Sequence, residues 1–259
     1  KSIDMLLFAD LHCSPKTLDV CLKVLEGIHL KAKTNNESVG FLGDFYDTVY
    51  RRGTIPVDML NILLDFFATR WTVPMIMIPG NHDYIDASET EHALEPFGIA
   101  NELITIVSEP CIIDRVMWVP WRRDNSVLKK MFAPEGMRSE YDVIFGHFDV
   151  VGAHVNNNTL SDRGLNKDDF PCSVISGHYH KPQTMGPVTY IGSPYQTSMG
   201  EAGQKKYFMR WDGSKAGRIP INYGPRRFKV TENPESWEHI DTRSGDILYM
   251  DTYNPEKLS

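Results

Sequence analysis

The chain has 259 residues, 41% of them hydrophobic, which is enough for one large α/β domain or one domain with an appendage. No apolar run approaches the ~20 residues that a membrane span needs, and no signal-peptide pattern stands at the start, so we expect no membrane association. Acidic residues exceed basic ones by 34 to 27, giving a net charge of −7, which argues against nucleic-acid binding by surface charge alone. A nucleic-acid substrate would need another source of positive charge, such as bound divalent metal.

The cysteines and the chain ends give two further expectations. The four cysteines form no C-x-x-C pair, which predicts reduced thiols in a cytoplasmic protein. The chain begins at Lys1 without a Met and stops after "NPEKLS", as a piece of a longer protein would.

Short apolar runs alternate with helical patterns along the first 180 residues. The runs are "IDMLLFAD", "SVGFLGD", "VPMIMIPGNHD", "YDVIFGH" and "CSVISGH", and each is typical of a strand buried on both faces. One predicted helix lies between the first two runs, after Pro15, with Leu18, Leu22, Leu25 and Ile28 at helical spacing. A second is predicted in "IPVDMLNILLDFFATR", with a core face of Met59, Ile62, Leu63, Phe66 and Phe67. This alternation predicts a layered α/β domain with helices covering a sheet.

The pattern changes after about Tyr190, where "VTYIGSP", "KKYFMRWDG" and "GRIPINYG" predict short strands joined by Gly turns. From Pro225 onward the sequence predicts the start of a smaller α+β unit. We therefore divide the chain into a main domain at 1–222 and a linker with a partial second unit at 223–259. The polar stretch 154–170 is interpreted as a long loop of the functional or mobile kind.

Polar motifs stand where the predicted strands end. They are Asp10-Leu-His12, Gly43-Asp44-Phe-Tyr-Asp47, Gly80-Asn81-His82-Asp83, Gly146-His147 and Gly177-His178-Tyr-His180. Side chains at the carboxyl ends of successive strands converge on one crevice in open α/β sheets. Two neighbouring divalent ions need a bridging carboxylate and mixed nitrogen and oxygen ligands, and Asp, Asn and His suit Mn²⁺, Fe²⁺ or Zn²⁺. The five motifs together predict a two-metal site that acts on a phosphate ester.

These motifs, in this order, resemble those of the calcineurin-like metallophosphoesterase superfamily over roughly residues 3–200. The resemblance implies a four-layer αββα sandwich fold. It also implies the ligands of two metal ions: Asp10, His12 and His180 for the first, Asn81, His147 and His178 for the second, with Asp44 bridging both. By the same resemblance, His82 lies beside the scissile phosphate as a catalytic residue. Asp47 would orient His82 and raise its basicity, and Asp83 is interpreted as structural.

Further features narrow the choice of substrate. The chain has G-N-H-D rather than G-N-H-E and lacks the G-D-x-V-D-R-G of Ser/Thr phosphatases. The segment "YIGSPYQTSMGE" resembles the G-S-P-x-x-x-S-x-x-E segment of SbcD-type double-strand-break repair nucleases. "WVPWRRD" and "RIPINYGPRRFKV" resemble, more weakly, that family's passage into its capping domain.

The SbcD-type resemblance implies Mn²⁺-dependent exonuclease and endonuclease activity on DNA, with Mg²⁺, Fe²⁺ or Zn²⁺ as alternative ions. It also implies an SbcC-type coiled-coil ATPase partner, a homodimer and a nucleoid-associated place in the cytoplasm. DNA phosphates would then meet basic side chains near the site, for which the candidates are Arg51, Arg52, Arg122, Arg123 and, less directly, Arg226 and Arg227.

Three alternatives stay open at this point. The first is a small-molecule or nucleotide phosphodiesterase with the same ligands and a closed pocket. The others are a phosphoprotein phosphatase and a non-catalytic scaffold, against which the departures from the phosphatase motifs and the complete ligand set argue.

Overall fold

The computed structural model describes residues 4–48, 54–132, 140–156, 159–231, 233, 235, 238–243 and 245–250. The strands are β1 (Met5–Phe8), β2 (Ser38–Leu42), β3 (Met75–Ile78), β4 (Ile104–Ile106), β5 (Cys111–Ile113), β6 (Val116–Val119), β7 (Val143–His147), β8 (Ser173–Gly177), β9 (Gln183–Met185), β10 (Val188–Tyr190), β11 (Lys206–Trp211), β12 (Ala216–Ile221), β13 (Arg227–Val230) and β14 (Ile247–Met250). The helices are α1 (Leu18–Asn35), α2 (Val57–Thr69), α3 (Glu95–Ala100) and α4 (Asn125–Phe132).

Two six-stranded sheets form the centre of the molecule. The first has the order β12-β11-β1-β2-β3-β4, and the second has the order β5-β6-β7-β8-β10-β9. Strands β1 to β4 run parallel to one another, as do β6, β7, β8 and β10, while the remaining strands of both sheets pair antiparallel. The parallel strands of each sheet therefore end at a common edge, where their connecting loops meet.

Three apolar layers hold the sheets and helices together. One contains α1, α2 and α3 packed on the outer face of the first sheet, and another contains α4 on the outer face of the second. The third lies between the sheets and includes Leu7, Trp118 and Phe145. An added Cβ at Gly40 would lie 3.0 Å from the Trp118 ring, so glycine at this point of β2 admits the indole from the opposite sheet. The predicted α/β sandwich is thus confirmed.

The sequence patterns predicted the five strands that carry the polar motifs and the two long helices, but not the short elements β4, β5, β9, α3 and α4. On α2, the side chains of Met59, Leu63, Phe66 and Phe67 are buried as expected. Ile62 was expected on the same face but is 45% exposed, because it lies just beyond the arc of the helix that contacts the first sheet. All four cysteines are free thiols. None of the helices described is long and apolar enough to cross a membrane.

After β12 the chain forms a separate two-stranded parallel ladder, β13 with β14. Arg226 forms an ion pair of 2.6 Å with Asp246 at the start of this ladder. The proposed division at residue 222 stays a prediction. Loop 154–170 contains a bridge between His154 and Leu160 and a short 3₁₀ turn at Lys167–Asp169.

Candidate metal centre

The strand-end motifs come together at the carboxyl edge of the two sheets. Three overlapping groups of acidic and histidine side chains there have ligand atoms within 4.8 Å of one another. The groups are Asp10 with His12 and His180, then His12 with Asp44 and His82, and finally Asp44 with His147 and His178. Asn81 adds its amide to the last group through its contacts with both histidines. The seven predicted ligands therefore form one cluster.

The first half of the cluster brings two imidazole nitrogens face to face. The Nε2 atoms of His12 and His180 lie 2.8 Å apart. Asp10 lies fully buried beside them, and its Oδ1 accepts a 2.9 Å hydrogen bond from the backbone N–H of His178. This half therefore offers two nitrogens and a carboxylate to a shared point.

The second half contains Asn81, His147 and His178. The Asn81 Oδ1 lies 3.1 Å from His147 Nε2 and 3.0 Å from His178 Nδ1, and these two nitrogens are 3.2 Å apart. The other ring nitrogen of His147 donates to the carbonyl of Leu42 at 2.7 Å. That bond leaves Nε2 without a proton in the neutral ring, which is the form that binds a metal ion.

Asp44 lies between the two halves and is 1% exposed. Its Oδ2 is 3.8 Å from His12 Nε2 and 3.4 Å from His147 Nε2, one histidine from each half. The loops approach closely because Gly80 lacks a side chain: an added Cβ there would lie 2.2 Å from Asp44 Oδ1. Burial acts to raise the pKa of Asp44, but the charge of His147 outweighs it and holds this pKa well below its usual value.

Several of these residues adopt a backbone conformation that non-glycine residues rarely use. Asp10, His12, Asp44 and His178 have φ angles of 56°, 47°, 60° and 99°. They make up half of the eight non-glycine residues with positive φ in the described part of the chain. Backbone strain of this kind concentrates at functional sites, where the surrounding structure holds it in place.

The donor set fits divalent cations. Among the described residues, the buried Oδ2 of Asp10 has no hydrogen-bond partner, and an unpaired carboxylate oxygen is costly to bury. Burial raises the pKa of Asp10, so its anionic form needs positive charge nearby. The pKa of His12 is lowered mainly by burial and to a smaller extent by the charge of His180, so the neutral ring is favoured. Burial acts to lower the pKa of His147, but the charge of Asp44 raises it to about 9, so this position attracts positive charge.

His82 lies at the rim of the cluster with 31% of its side chain exposed. Its backbone N–H donates to Asp44 Oδ1 at 2.8 Å. We expected the carboxylate of Asp47 to orient its ring, and here the structure differs. The ring Nδ1 contacts the backbone carbonyl of Asp47, while the carboxylate lies 3.9 Å from Nδ1 of His12. The turn after Asp44 directs the main chain, rather than the side chain, of Asp47 toward His82.

Two carboxylates that hold predicted ligand histidines were not assigned from the sequence. Asp149 accepts a 2.9 Å hydrogen bond from His178 Nε2, and Glu201 accepts one of 2.9 Å from His180 Nδ1. Asp149 stands two residues after His147, and Glu201 ends the quoted "YIGSPYQTSMGE" segment. Their short distance in sequence from the predicted motifs is the signal by which Asp149 and Glu201 could have been assigned.

Asp83 has the structural role that the sequence suggested. It is fully buried, and its two carboxylate oxygens accept four backbone hydrogen bonds of 2.9–3.1 Å, from residues 44, 45, 46 and 80. This carboxylate therefore joins the loop that carries Asp44 to the turn that carries Asn81.

The arginine candidates separate into three kinds. Arg51 and Arg52 lie outside the described residues. Arg122 was expected near DNA phosphates, but its side chain is only 13% exposed and its guanidinium bonds Tyr84, Glu109 and two backbone carbonyls. Those acceptors already occupy its donors, which gives Arg122 a structural role. Arg123 is 62% exposed and lies 3.6 Å from a carboxylate oxygen of Glu89.

The two arginines after β12 are also engaged within the protein. Arg226 pairs with Asp246. The guanidinium of Arg227 donates to the backbone carbonyls of Gln196 and Thr197, at 3.0 and 3.4 Å. Arg227 therefore ties β13 to the segment that carries Glu201.

Comparison with known proteins identifies the family. A search of curated proteins found no match. A comparison with protein families matches residues 3–182, well over half of the chain, to the calcineurin-like phosphoesterases, a family of metal-dependent hydrolases. The matched range contains all seven residues of the cluster as well as His82. The chain therefore belongs to the calcineurin-like phosphoesterase family.

Proposed function

We propose that this chain is a metal-dependent DNA nuclease of the SbcD type. The observation that carries the proposal concerns Gly192–Glu201, the segment that resembles SbcD-type nucleases most specifically. In the structure this segment lies against the candidate metal centre, and its Glu201 bonds the ring of His180. The segment on which the SbcD-type resemblance mainly rests is thus in contact with the proposed metal site, which supports the proposal.

We propose that the seven clustered residues hold two divalent ions, Mn²⁺ in preference to Mg²⁺, Fe²⁺ or Zn²⁺. Asp10, His12 and His180 would hold one ion, Asn81, His147 and His178 the other, and Asp44 would contact both. Such a pair of ions polarises the phosphodiester and lowers the pKa of the attacking water. It also supplies positive charge to a protein whose net charge is −7.

His82 is the proposed acid beside the leaving oxygen. Its Nδ1 proton is held by the carbonyl of Asp47, so the proton available for transfer would sit on Nε2. That nitrogen lies 3.9 Å from Asp44 Oδ2, so it faces the proposed metal site. A general acid in such a position contributes ~10²–10⁴-fold to the rate.

The remaining assignments follow from the same resemblance and stay predictions. They are an SbcC-type coiled-coil ATPase partner, a homodimer, a nucleoid-associated place in the cytoplasm, and a capping unit that begins after residue 222. The attachment of Arg227 to residues 196–197 supports a functional connection between that unit and the site.

The proposal is tested by comparing two substrates. Linear duplex DNA and a small aryl phosphodiester are each incubated with the protein and Mn²⁺, Mg²⁺ or a chelator. We expect Mn²⁺-dependent shortening of the DNA from its ends, no reaction with chelator, and cleavage slowed by ~10²–10⁴-fold in a His82→Ser variant that retains its metal. Rapid hydrolysis of the aryl ester with intact DNA would instead identify a small-molecule phosphodiesterase and overturn the nuclease proposal.

A further inference from the structure

A cluster of buried polar side chains lies directly behind His180. Glu201 and Lys206 are each 5% exposed, and Ser193 is fully buried. Lys206 Nζ donates to Glu201 Oε2 at 2.6 Å and to Ser193 Oγ at 2.9 Å. Burying a charged pair costs desolvation energy that attraction between the charges often does not recover. A buried pair beside a ligand histidine therefore calls for a functional explanation.

The cluster fixes which nitrogen of His180 faces the metal centre. Glu201 Oε1 and Thr197 Oγ1 lie 2.9 and 3.0 Å from Nδ1, while Nε2 points at His12. Because the carboxylate accepts a hydrogen bond from Nδ1–H, the neutral ring presents an unprotonated Nε2 to the centre. Glu201 thus sets both the tautomer and the direction of the ring.

Lys206 and the residues around it hold Glu201 in place. The second Glu201 oxygen also lies 2.9 Å from Ser193 Oγ and accepts a 3.2 Å hydrogen bond from the backbone N–H of Thr197. Lys206 donates a further bond of 3.0 Å to the carbonyl of His180. Since Lys206 begins β11 of the first sheet and His180 follows β8 of the second, this ammonium joins the two sheets next to the ligand.

The partner histidine of the same motif is held in the opposite way. His178 donates a hydrogen bond from Nε2–H to Asp149 and directs Nδ1 to Asn81 and His147. Two rings separated by one residue thus present different nitrogens, because different carboxylates bind them from different sides. Each carboxylate acts on one half of the centre.

We propose that Glu201, held by Lys206, is the positioning residue of the first half of the centre and sets the affinity of that half for its ion. The inference rests on the proposed metal-binding role of His180. Partners that orient a ligand histidine typically change metal affinity by ~10–100-fold when they are replaced. We expect an effect of that size on one ion, with the other ion little changed.

The test measures Mn²⁺ binding to the full chain by calorimetric titration and by counting bound ions. Glu201→Gln should weaken one of two Mn²⁺ sites by ~10–100-fold, and Asp149→Asn should weaken the other. The matched control is Glu37→Gln, which alters another buried glutamate, 6% exposed and bonded by Arg210 Nη2 at 3.1 Å. Glu37 lies before β2, away from the cluster, so both sites should keep their affinity.

A double-variant comparison separates positioning from general destabilisation. If Glu201 acts through His180, adding Glu201→Gln to His180→Ala should weaken Mn²⁺ binding no further than His180→Ala alone. A further loss would overturn the inference. If Glu201→Gln alone folds poorly, the titration is repeated with Glu201→Gln combined with Lys206→Met, because this double variant leaves no unpaired buried charge.

Failure of the inference and failure of the proposed function give different results. Two tight Mn²⁺ sites in Glu201→Gln, equal to those of the unchanged protein, would overturn the positioning role while leaving the metal centre intact. Absence of Mn²⁺ binding by the unchanged protein would overturn the metal centre itself, and the inference with it.

Discussion

The two halves of the candidate centre use similar ligands but are supported by different parts of the chain. His147 and His178 are held by Leu42 and Asp149, all within the range that matches the family. His180 is held by Glu201 and Lys206, which come after that range. The family motifs thus contain the proposed ligands of both halves, whereas the groups that orient them can come from chain segments outside the matched range.

Replacing Asp44 should have the largest effect, because it should weaken metal binding in both halves of the centre. Asp44→Asn keeps the shape of the side chain but takes away the charge that faces His12 and His147 together. We expect both Mn²⁺ ions to bind weakly and DNA cleavage to fall below detection, which bound-metal analysis and a nuclease assay would measure. Retention of one tight ion would show that the half that binds it does not depend on Asp44.

A second change should spare both halves. His82 is not among the proposed ligands, so His82→Ser should lower the cleavage rate by ~10²–10⁴-fold while two Mn²⁺ ions remain bound. Single-turnover cleavage with parallel metal counting checks this. Loss of metal from the variant would assign His82 to the ligand set and contradict its role as an acid.

Removing one proposed ligand from either half should affect mainly the ion of that half. His180→Ala should leave mainly the ion of the second half, and His178→Ala mainly that of the first, because the two rings face different groups. Bound manganese should fall from about two ions to about one in each variant. Equal loss of both ions in either variant would contradict the division into halves.

A smaller effect, on protein stability, is expected from replacing Asp83, which joins the loops that carry Asp44 and Asn81. Asp83→Asn places an amide N–H₂ opposite two backbone donors and should lower the free energy of unfolding by about 2–3 kcal/mol. Denaturant unfolding measures the change. The matched control is Asp212→Asn, because the contacts of Asp212 to residues 214 and 215 use Oδ1 alone, which asparagine retains. Equal stability of the two variants would show that the Asp83 carboxylate does not stabilise the two loops it contacts.

The smallest expected effect is on DNA binding, from replacing Arg123 beside the second half of the centre. Arg123 lies next to Trp121 and Glu89, and the Trp121 backbone N–H donates to Pro79 just before Asn81. Arg123→Ala should weaken DNA binding a few-fold and reduce the salt-dependence slope by about 1. Arg218→Ala, which changes an exposed arginine on β12, is the control that should leave the slope unchanged. An unchanged slope for Arg123→Ala would exclude a phosphate contact.

The sequence predicted the fold and the positions of the clustered residues because both depend on local pattern. Buried parallel strands are continuous apolar runs, and their carboxyl ends meet at one edge, so Asp10, Asp44 and His147 could be expected together. The roles of Asp149 and Glu201 could not be derived in this way, since each depends on how a distant segment packs against a histidine ring. The Asp47 contact was predicted with the wrong atom, because spacing along a turn does not say whether main chain or side chain faces a neighbour.

The left-handed backbone at Asp10, His12, Asp44 and His178 limits how this centre could be rebuilt elsewhere. Copying the seven side chains onto the strand ends of another α/β protein would not reproduce their directions, since ordinary strand ends do not turn through positive φ. A protein engineer would have to transplant the complete loops, including Gly43, Gly80 and the buried Asp83 that fastens two of them together.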